Sequence, residues 1–311
     1  MAPVPAGLTV LSPWPALPFG QDRRAAQAIN TLMLRLQLSR AGEFMPPDIW
    51  WVYDPIAASV TRHYPSRLLV YDCVDRHAAY GGRRRLMDGM EATLLERADV
   101  VFVTAQGLVS HCRGAVEVHY VSNGFDEDLF AAPKAEPPRL RVIPRPRVGF
   151  IGGLAHWLDG DLLEAAARAR PSWSFVLVGP IAEVKGLLPE APNIHWLGPC
   201  ARNDVPAYMT GFDVGMVPFA ATPLTRTVNP LKAYEYLAAG IPVVSTRMPE
   251  LDHLPIIRQA SSPEEFVAEV QHALAEGMSE EVRRLRRQAA APFSLQRGFE
   301  TMCAVLAGKL A

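Results

Sequence analysis

Short apolar runs alternate with amphipathic stretches of helical length along most of the chain. In the first half the runs lie at residues 8–11, 49–53, 68–71, 100–104 and 116–121, and in the second half they read RVGFIG, WSFVLVG, IHWLG, DVGMVPF and IPVVST. Strands that are apolar over their whole length are buried on both faces, as in a parallel sheet covered by helices. The alternation therefore predicts an α/β protein.

The length of the chain, 311 residues, suits two domains of roughly 150 residues each. A proline-rich segment, AAPKAEPPRLRVIPRP, separates the two halves, and proline interrupts regular structure. We expect an N-terminal domain at residues 1–133, a linker at 134–146, a second domain at 147–292 and a returning helix at 293–311. Apolar residues at three-to-four spacing predict further helices at 23–39, 84–97 and 106–112.

Composition narrows the class of protein. No apolar run reaches the roughly 20 residues of a transmembrane helix, and no secretory signal precedes the first strand, so we expect a cytoplasmic protein. The four cysteines are scattered without a C-x-x-C pair, which argues against zinc and redox dithiol sites. A net charge of −1 argues against nucleic-acid binding.

The most informative segment is TVNPLKAYEYLAAGIPVVST, residues 227–246. Asn229 suits an N-cap, Pro230 the first helical position and Gly240 the helix end, so the segment predicts a loop, a helix and a strand. Lys232 lies in the first turn, where a cation is unfavourable for the helix itself. Free N–H groups and a cation at this position favour an anion such as a pyrophosphate.

Glu235 follows Lys232 by three residues and therefore shares its helix face. A cation for phosphate and a carboxylate for ribose hydroxyls would then point into one site. The pair alone fits an ordinary surface ion pair equally well. The surrounding loop, glycine and buried strand favour the binding site.

This segment resembles the nucleotide-binding helix of GT-B glycosyltransferases, in particular the large retaining family with a Glu-x7-Glu motif, called group 1 or family 4. Its form N-P-L-K-x-x-E-Y-L-A-x-G is similar to a bacterial subgroup of cell-envelope enzymes that includes teichuronic-acid and exopolysaccharide glycosyltransferases. The resemblance implies that Glu235 holds the ribose. This sequence departs from the motif at Thr227, where the family has its first Glu.

Further matches are spread over most of the chain. ADVVFVT and VSNGFDEDLF resemble the end of the family's first domain, and VGFIGGL resembles the first strand and glycine loop of its nucleotide domain. HWLGP and DVGMVPF resemble two later strands of that domain. The resemblance implies that a nucleotide sugar is bound by a set of residues in the second domain: Gly152, Gly153, Arg226, Thr227, Asn229, Leu231, Lys232 and Glu235. An ordinary solvated loop arginine is the simpler interpretation of Arg226.

The fold implied is GT-B, two Rossmann-like domains facing across a cleft. The function implied is transfer of a hexose-type sugar from a nucleoside diphosphate to a polysaccharide or glycolipid precursor. Relatives open with a strand and a glycine-containing loop, whereas this chain opens MAPVPAGLTVLSPWPALPFG and its strand at 8–11 resembles a later one. We therefore expect the N-terminal domain to lack its first βα unit.

Candidate catalytic residues of the first domain lie in LLVYDCVDRHAAY. Asp72 ends a predicted strand, and Asp75 and His77 follow it, where the carboxyl ends of parallel strands open onto ligand sites. Asp75 is the first choice of base for an acceptor hydroxyl in an inverting transfer, with Asp72 second. A retaining transfer does not require such a base, because the leaving phosphate can accept the proton. Asp72 also fits a structural hydrogen-bond acceptor, and His77 an exposed loop histidine.

No metal or other cofactor is expected. Two D-x-D spellings, Asp126-Glu127-Asp128 and Asp159-Gly160-Asp161, have the ligand chemistry for a divalent cation. The first lies inside the segment before the linker, and the second fits the start of a helix with acids in its first turn. Lys232 and a helix dipole are the simpler means of stabilising a leaving diphosphate.

The predicted helix DRRAAQAINTLMLRLQLS, residues 22–39, carries arginines beside a stripe of Leu, Ile and Met. Together with Arg83, Arg84 and Arg85 it predicts a peripheral contact with an anionic membrane that holds a lipid-linked acceptor. A core-facing helix with a solvated basic side fits the same pattern, and we favour it.

Two other functions stay open at this stage. A sugar-nucleotide epimerase would share the two-domain plan and act without an acceptor. A non-catalytic scaffold protein that resembles a glycosyltransferase would explain Thr227 and the unusual N-terminus. A nicotinamide dehydrogenase is disfavoured, because no G-x-G-x-x-G follows the first strand of either half.

Overall fold

A computed structural model describes Leu8, Val10, Trp14, Leu17 and residues 24–40, 47–77, 84–132, 134–181 and 189–310. The chain divides into two compact units. Unit 1 contains Met1–Val103, Leu108–His119 and Lys309–Ala311, and unit 2 contains Thr104–Gly107 and Tyr120–Gly308. The segment predicted as a linker, residues 134–146, thus packs with unit 2.

Unit 1 is built on a four-stranded sheet in which spatial order equals chain order. Its strands are β1 (Ile49–Val52), β2 (Leu68–Cys73), β3 (Val100–Val103) and β4 (Val118–Tyr120). Both pairings of β2, with β1 and with β3, are parallel, and β2 and β3 are buried throughout. The helices of this region are α1 (Arg24–Arg40), α2 (Ala58–Thr61), α3 (Arg84–Arg97) and α4 (Gln106–His111).

The strand predicted at residues 8–11 lies partly outside the described residues. Its two described members, Leu8 and Val10, are exposed and belong to no strand.

Unit 2 is built on a six-stranded parallel sheet. Its strands are β5 (Arg147–Ile151), β6 (Ser174–Val178), β7 (Ile194–Trp196), β8 (Val214–Val217), β9 (Val243–Thr246) and β10 (Arg258–Ala260). Its helices are α5 (Glu127–Phe130), α6 (Pro138–Arg141), α7 (Gly160–Ala169), α8 (Val205–Thr210), α9 (Leu231–Ala238), α10 (Pro263–Ala275), α11 (Glu280–Ala290) and α12 (Leu295–Leu310). The sequence did not predict α5, α6, which lies in the proline-rich segment, or β10, which lies after Thr246, where the pattern is mainly helical.

The strand order of unit 2 is β7-β6-β5-β8-β9-β10, the doubly wound Rossmann order. Its core forms two layers because alternate strand residues point to opposite faces of the sheet. Phe175 and Leu177 contribute to one apolar cluster, and Val176 and Val178 contribute to the other. The order reverses between β5 and β8, and this switch point is where such sheets bind ligands.

The VSNGFDEDLF segment runs beside the chain that enters α12. Phe125 donates its N–H to the carbonyl of Phe293 over 3.0 Å, and Leu295 donates to the carbonyl of Phe125 over 2.8 Å. A Cβ atom on Gly124 would lie 2.6 Å from the nitrogen of Leu295, so only glycine permits this approach. The last residues of α12 belong to unit 1, where Lys309 pairs with Glu117 and the Leu310 carbonyl accepts from Arg67.

Among the described helices, none combines the length and apolarity needed to cross a lipid bilayer.

Candidate active site

The switch point of unit 2 opens at the glycine loop that follows β5. Gly152 donates its N–H to the carbonyl of Val178 over 2.9 Å, which ties the loop to the end of β6. Gly179 follows β6 with a φ of +148°, and a Cβ atom there would lie 1.8 Å from the carbonyl oxygen of Gly152. Only glycine fits at Gly179. Sequence reasoning missed this residue, although a glycine directly after a buried strand was its signal.

Helix α9 is fixed against the sheet by Tyr236. The backbone N–H of Ile151, the last residue of β5, donates to the Tyr236 hydroxyl oxygen over 3.0 Å. The buried Tyr236 ring occupies the space over Gly215, where a Cβ atom would lie 2.5 Å from the ring. This packing sets the distance between α9 and the glycine loop after β5.

The structure corrects the predicted start of α9. The helix begins at Leu231, and Pro230, not Asn229, occupies the N-cap position, without a side-chain capping bond. The predicted end is confirmed, since Gly240 follows the helix with a φ of +77°. A helix that lacks a capping side chain leaves its first N–H groups available for a ligand.

Lys232 and Glu235 form an ion pair on the face of α9 next to the glycine loop. The Lys232 Nζ atom lies 2.5 Å from Oε2 of Glu235, and the Glu235 side chain is mostly buried. A Cβ atom on Gly152 would lie 3.7 Å from Cε of Lys232. The structure thus brings the glycine loop, the cation and the carboxylate together at the switch point, with Leu231 half-buried beside them.

Asn229 is buried and belongs to a hydrogen-bond network around Glu250. Its Nδ2 atom lies 3.3 Å from Oε1 of Glu250, which also accepts from the Tyr120 hydroxyl over 2.8 Å. The other Glu250 oxygen accepts from the backbone N–H of Gln106 over 2.8 Å. The side chain of Asn229 is therefore used to position its loop. Glu250 was missed, because its partners are distant in sequence.

Arg226 and Thr227 lie in a 3-10 turn at Thr225–Thr227 that precedes α9. The Arg226 side chain is exposed. The Thr227 hydroxyl donates to the carbonyl of Leu224 over 3.0 Å, so the residue that replaces the first glutamate of the motif stabilises the turn.

Asp72 is the next-to-last residue of β2 in unit 1 and is buried, with 4% of its surface exposed. Its Oδ2 atom accepts a hydrogen bond from the Trp51 indole over 3.1 Å, and its buried Oδ1 atom has no hydrogen-bond partner. Burial raises the pKa of Asp72 to about 6, and the Trp51 hydrogen bond opposes this effect only partly. A carboxylate with this pKa accepts a proton readily near neutral pH.

Glu91 forms a second polar cluster in unit 1. It accepts from the Tyr71 hydroxyl over 2.7 Å, and its other oxygen lies 2.9 Å from Nε2 of His111. Burial alone would raise the pKa of Glu91, but the hydrogen bonds from His111 and Tyr71 outweigh it and lower the pKa. The Glu91 hydrogen bond raises the pKa of His111. This pair was also missed, because its members lie on different helices.

The loop after β2 holds the two remaining candidates of unit 1. The Cys73 thiol lies 3.6 Å from the backbone carbonyl oxygen of Asp75, which fixes the loop at the strand end. The Nε2 atom of His77 is buried without a hydrogen-bond partner, so His77 is not the merely exposed histidine that the sequence suggested.

Comparison with known proteins identifies the family. Residues 145–276 match the family model described as "Glycosyl transferases group 1". The chain is also 31% identical over 269 residues to TuaH of Bacillus subtilis (strain 168), whose name assigns it provisionally as a teichuronic acid biosynthesis glycosyltransferase. The match covers 78% of this chain and 67% of TuaH. The chain belongs to the group 1 glycosyltransferases.

Solved structures show that this glycosyltransferase has the GT-B fold. Sucrose-phosphate synthase from Thermosynechococcus elongatus superposes with a TM-score of 0.72 at 15% identity, covering 93% of this chain and 79% of that one. HepE of Anabaena in complex with UDP gives 0.68 at 17% identity, with coverage of 90% and 84%. An E. coli trehalose-6-phosphate protein bound with UDP-2-fluoro glucose gives 0.66 at 14% identity, with coverage of 92% and 78%.

The acidic pairs of the glycosyltransferase have structural partners. Asp159 caps α7 by accepting from the N–H of Leu162 over 2.9 Å, as predicted for a helix start. Asp126 pairs with Arg202 over 2.9 Å. Within the described residues, no group of three or more His, Cys, Asp or Glu side chains has a geometry that would hold a metal ion.

Proposed function

We propose that this glycosyltransferase takes its sugar from a nucleoside diphosphate sugar bound at the switch point of unit 2. The observation that carries the proposal is the convergence of Gly152, Lys232 and Glu235 at the end of β5. The backbone near Gly153 and the first N–H groups of α9 would hold the diphosphate together with Lys232. Glu235 would accept hydrogen bonds from the ribose hydroxyls. The UDP and the UDP-2-fluoro glucose bound by two fold relatives support this class of donor.

The other predicted donor contacts divide into two groups. Asn229, held by Glu250, and Leu231 would shape the wall of the diphosphate site. Arg226, which is exposed on the preceding turn, would reach the phosphates only on ligand binding. Thr227 would contact the donor through its backbone, because its hydroxyl is already bonded to Leu224.

We propose that positive charge at the diphosphate comes from Lys232 and the α9 dipole and that no metal takes part. The two acidic pairs that have the right ligand chemistry are used elsewhere, Asp159 as a helix cap and Asp126 in an ion pair. Transfer is then expected to continue in the presence of EDTA.

In unit 1 we propose that Asp75 or Asp72 acts on the acceptor hydroxyl. If the transfer inverts configuration, one of them takes the proton, and the pKa of about 6 for Asp72 suits that step. If the transfer retains configuration, the leaving phosphate takes the proton and the carboxylates orient the acceptor.

The acceptor that we propose is a polysaccharide or glycolipid precursor of a bacterial cell envelope, in line with the name of TuaH. We further propose that the enzyme works in the cytoplasm at the membrane surface. Its four cysteines are free, two of them buried, which suits a reducing compartment. Contact with the membrane would be made by α1, whose apolar residues Ile29, Leu32, Met33 and Leu36 are exposed. Arg23 and Arg83 of the predicted basic patch lie outside the described residues.

One observation favours a second candidate, a donor-binding scaffold protein without turnover. Thr227 stands where the family has its first glutamate, and its hydroxyl stabilises the local turn. Such a protein would bind the nucleotide sugar without breaking the bond between the sugar and the diphosphate.

The test of the donor site is calorimetric binding of UDP, GDP, ADP and dTDP. We expect one of them to bind, and we expect Lys232→Ala and Glu235→Ala each to weaken that binding by at least about ten-fold, the loss of one charge-assisted hydrogen bond. Arg168→Ala, an exposed charge change on α7, is the matched control. If neither site variant weakens binding, the proposed site is wrong.

A further inference from the structure

A pocket of about 510 Å³ lies in unit 1 between α1, α2 and α3. Its polar lining consists of the basic side chains Arg35, Arg62 and His63 and the hydroxyls Thr31, Ser59 and Thr93. Among the residues that the structure describes, no acidic side chain lines it. A cavity with this lining is chemically suited to an anion rich in acceptor oxygens, such as a phosphate group.

The basic groups of the pocket are not neutralised by the part of the chain that the structure describes. The Nε atom of Arg35 is buried and has no hydrogen-bond partner. Arg62 and His63 contact each other, since Nε of Arg62 donates a hydrogen bond to Nε2 of His63 over 3.2 Å. Desolvation, and then the positive charges of Arg35 and Arg62, lower the pKa of His63. A buried donor without a partner, such as Nε of Arg35, is costly, and an anion in the pocket would satisfy it.

An exposed apolar stripe on α1 adjoins the pocket. Ile29, Leu32, Met33 and Leu36 follow the i, i+3, i+4, i+7 pattern, and each exposes between 37% and 53% of its surface. The interpretation of this segment as a core-facing helix, which we favoured from the sequence, is therefore wrong at these four residues. Leu32 belongs both to this stripe and to the lining of the pocket, so the two surfaces are continuous.

A tryptophan is held at the same helix although nothing in the described chain covers it. The backbone N–H and carbonyl of Trp14 both bond to the side-chain amide of Gln37, each over 2.8 Å, and 82% of the Trp14 surface is exposed. The Asn30 amide binds the backbone of Leu17 in the same manner. An exposed indole whose backbone is held beside an apolar stripe suits the boundary between lipid and water, where tryptophan is enriched. Helix α1, RAAQAINTLMLRLQLSR, also contains arginines and no acidic residue.

We propose that this pocket binds the phosphate of an anionic phospholipid while the α1 stripe lies among its acyl chains. The inference rests on the membrane contact in the proposed function and adds to it a specific headgroup site. Attraction by charge alone would need only a basic surface. Binding of a headgroup in the pocket depends in addition on the planar guanidinium groups of Arg35 and Arg62, which would hold the phosphate oxygens.

The test is sedimentation of the full chain with vesicles of phosphatidylcholine alone and of phosphatidylcholine mixed with phosphatidylglycerol. We expect the wild type to bind the mixed vesicles and the double variant Arg35→Lys/Arg62→Lys to bind them about ten-fold more weakly, although its net charge is unchanged. Arg113→Lys, at an exposed site of the same unit, is the matched control and should bind as the wild type does. Equal binding by the double variant and the wild type would overturn the headgroup site.

A second pair of variants tests the lipid as the source of the phosphate. Leu32→Ser/Leu36→Ser should also weaken binding to mixed vesicles about ten-fold, whereas Leu285→Ser, equally exposed on α11, should not. If the α1 variant binds as the wild type does, the pocket takes a free phosphate or another anion and the lipid assignment is wrong. If the wild type itself prefers neither vesicle, the membrane contact of the proposed function fails as well, while nucleotide calorimetry still reports on the donor site.

Discussion

The ammonium group of Lys232 lies 2.5 Å from a carboxylate oxygen of Glu235, within one turn of α9. Each charge therefore neutralises the other next to the glycine loop. If Lys232 serves the diphosphate and Glu235 the ribose, Glu235→Gln should weaken nucleotide binding about ten-fold or more. The same variant should bind inorganic pyrophosphate at least as well as the wild type, because Lys232 is no longer paired.

Lys232→Gln is the complementary variant in this experiment. It should weaken the binding of both the nucleotide and pyrophosphate, which titration calorimetry measures directly. Equal losses of pyrophosphate binding in Glu235→Gln and Lys232→Gln would show that the two side chains do not have separate roles.

Gly179→Ala should be one of the most damaging small substitutions in unit 2. The new Cβ atom would overlap the Gly152 carbonyl, and the alanine would also have to adopt the positive φ of this position. Gly277 is the matched control, since it also has a positive φ, of +75°, but has open space around it. In urea denaturation Gly277→Ala should cost about 1 kcal/mol and Gly179→Ala about 3 kcal/mol or more. Similar costs for the two variants would refute the steric argument.

Asp72→Asn should stabilise the fold at pH 7.5 and not at pH 4. Because burial raises the pKa of Asp72 from 3.8 to about 6, the folded state binds the proton more tightly, and stability falls as the pH rises between these values. Above that range the ionised carboxylate costs roughly 3 kcal/mol. The amide keeps the Trp51 hydrogen bond but buries an unpaired donor, which costs about 1 kcal/mol, so the net gain is about 2 kcal/mol. Urea denaturation at both pH values measures it.

The control for Asp72 is Asp161→Asn, an exposed acid on α7, which should change stability little at either pH. Destabilisation by Asp72→Asn at pH 7.5 would contradict the assignment of an unfavourable buried charge.

The pair of Glu91 and His111 should stabilise unit 1 most strongly at mildly acidic pH. The raised pKa of His111 means that its contribution is complete below 6.5 and is lost as the pH rises through its folded pKa. The lowered pKa of Glu91 means that its contribution is present above 4.5 and is lost as the pH falls. His111→Gln should therefore cost about 1 to 2 kcal/mol at pH 6 and less at pH 9. Equal costs in denaturation at the two pH values would contradict a charged pair.

Sequence patterns predicted the elements better than their arrangement. The buried strands β5 (Arg147–Ile151) and β6 (Ser174–Val178) were predicted because continuous apolar runs of this length are typical of buried strands. The strand β10, Arg258–Ala260, was missed because it is a three-residue strand with half-buried polar residues and has no apolar run. The helix start at Leu231 was placed too early because Asn229 is a good N-cap, whereas the buried Glu250 holds its side chain instead.

The site was predictable where its residues lie close together in sequence. Lys232 and Glu235 are three residues apart, so helix geometry alone places them on one face. The contacts of Glu250 with Tyr120 and with Gln106 span more than a hundred residues and depend on the tertiary fold. The same holds for Gly179, whose role depends on the approach of a second loop.

The most direct test of the account is release of nucleoside diphosphate from UDP-, GDP-, ADP- and dTDP-sugars in the presence of extracted bacterial membrane lipids and EDTA. We predict that nucleoside diphosphate is released from one donor class, that this release depends on the lipids, and that the sugar is incorporated into them. In Lys232→Ala the rate of release should fall at least about a hundred-fold, because the variant loses both donor binding and stabilisation of the transition state. A protein that binds the nucleotide but releases none from any donor, with or without added Mg²⁺, would contradict the proposed transfer and identify a donor-binding scaffold.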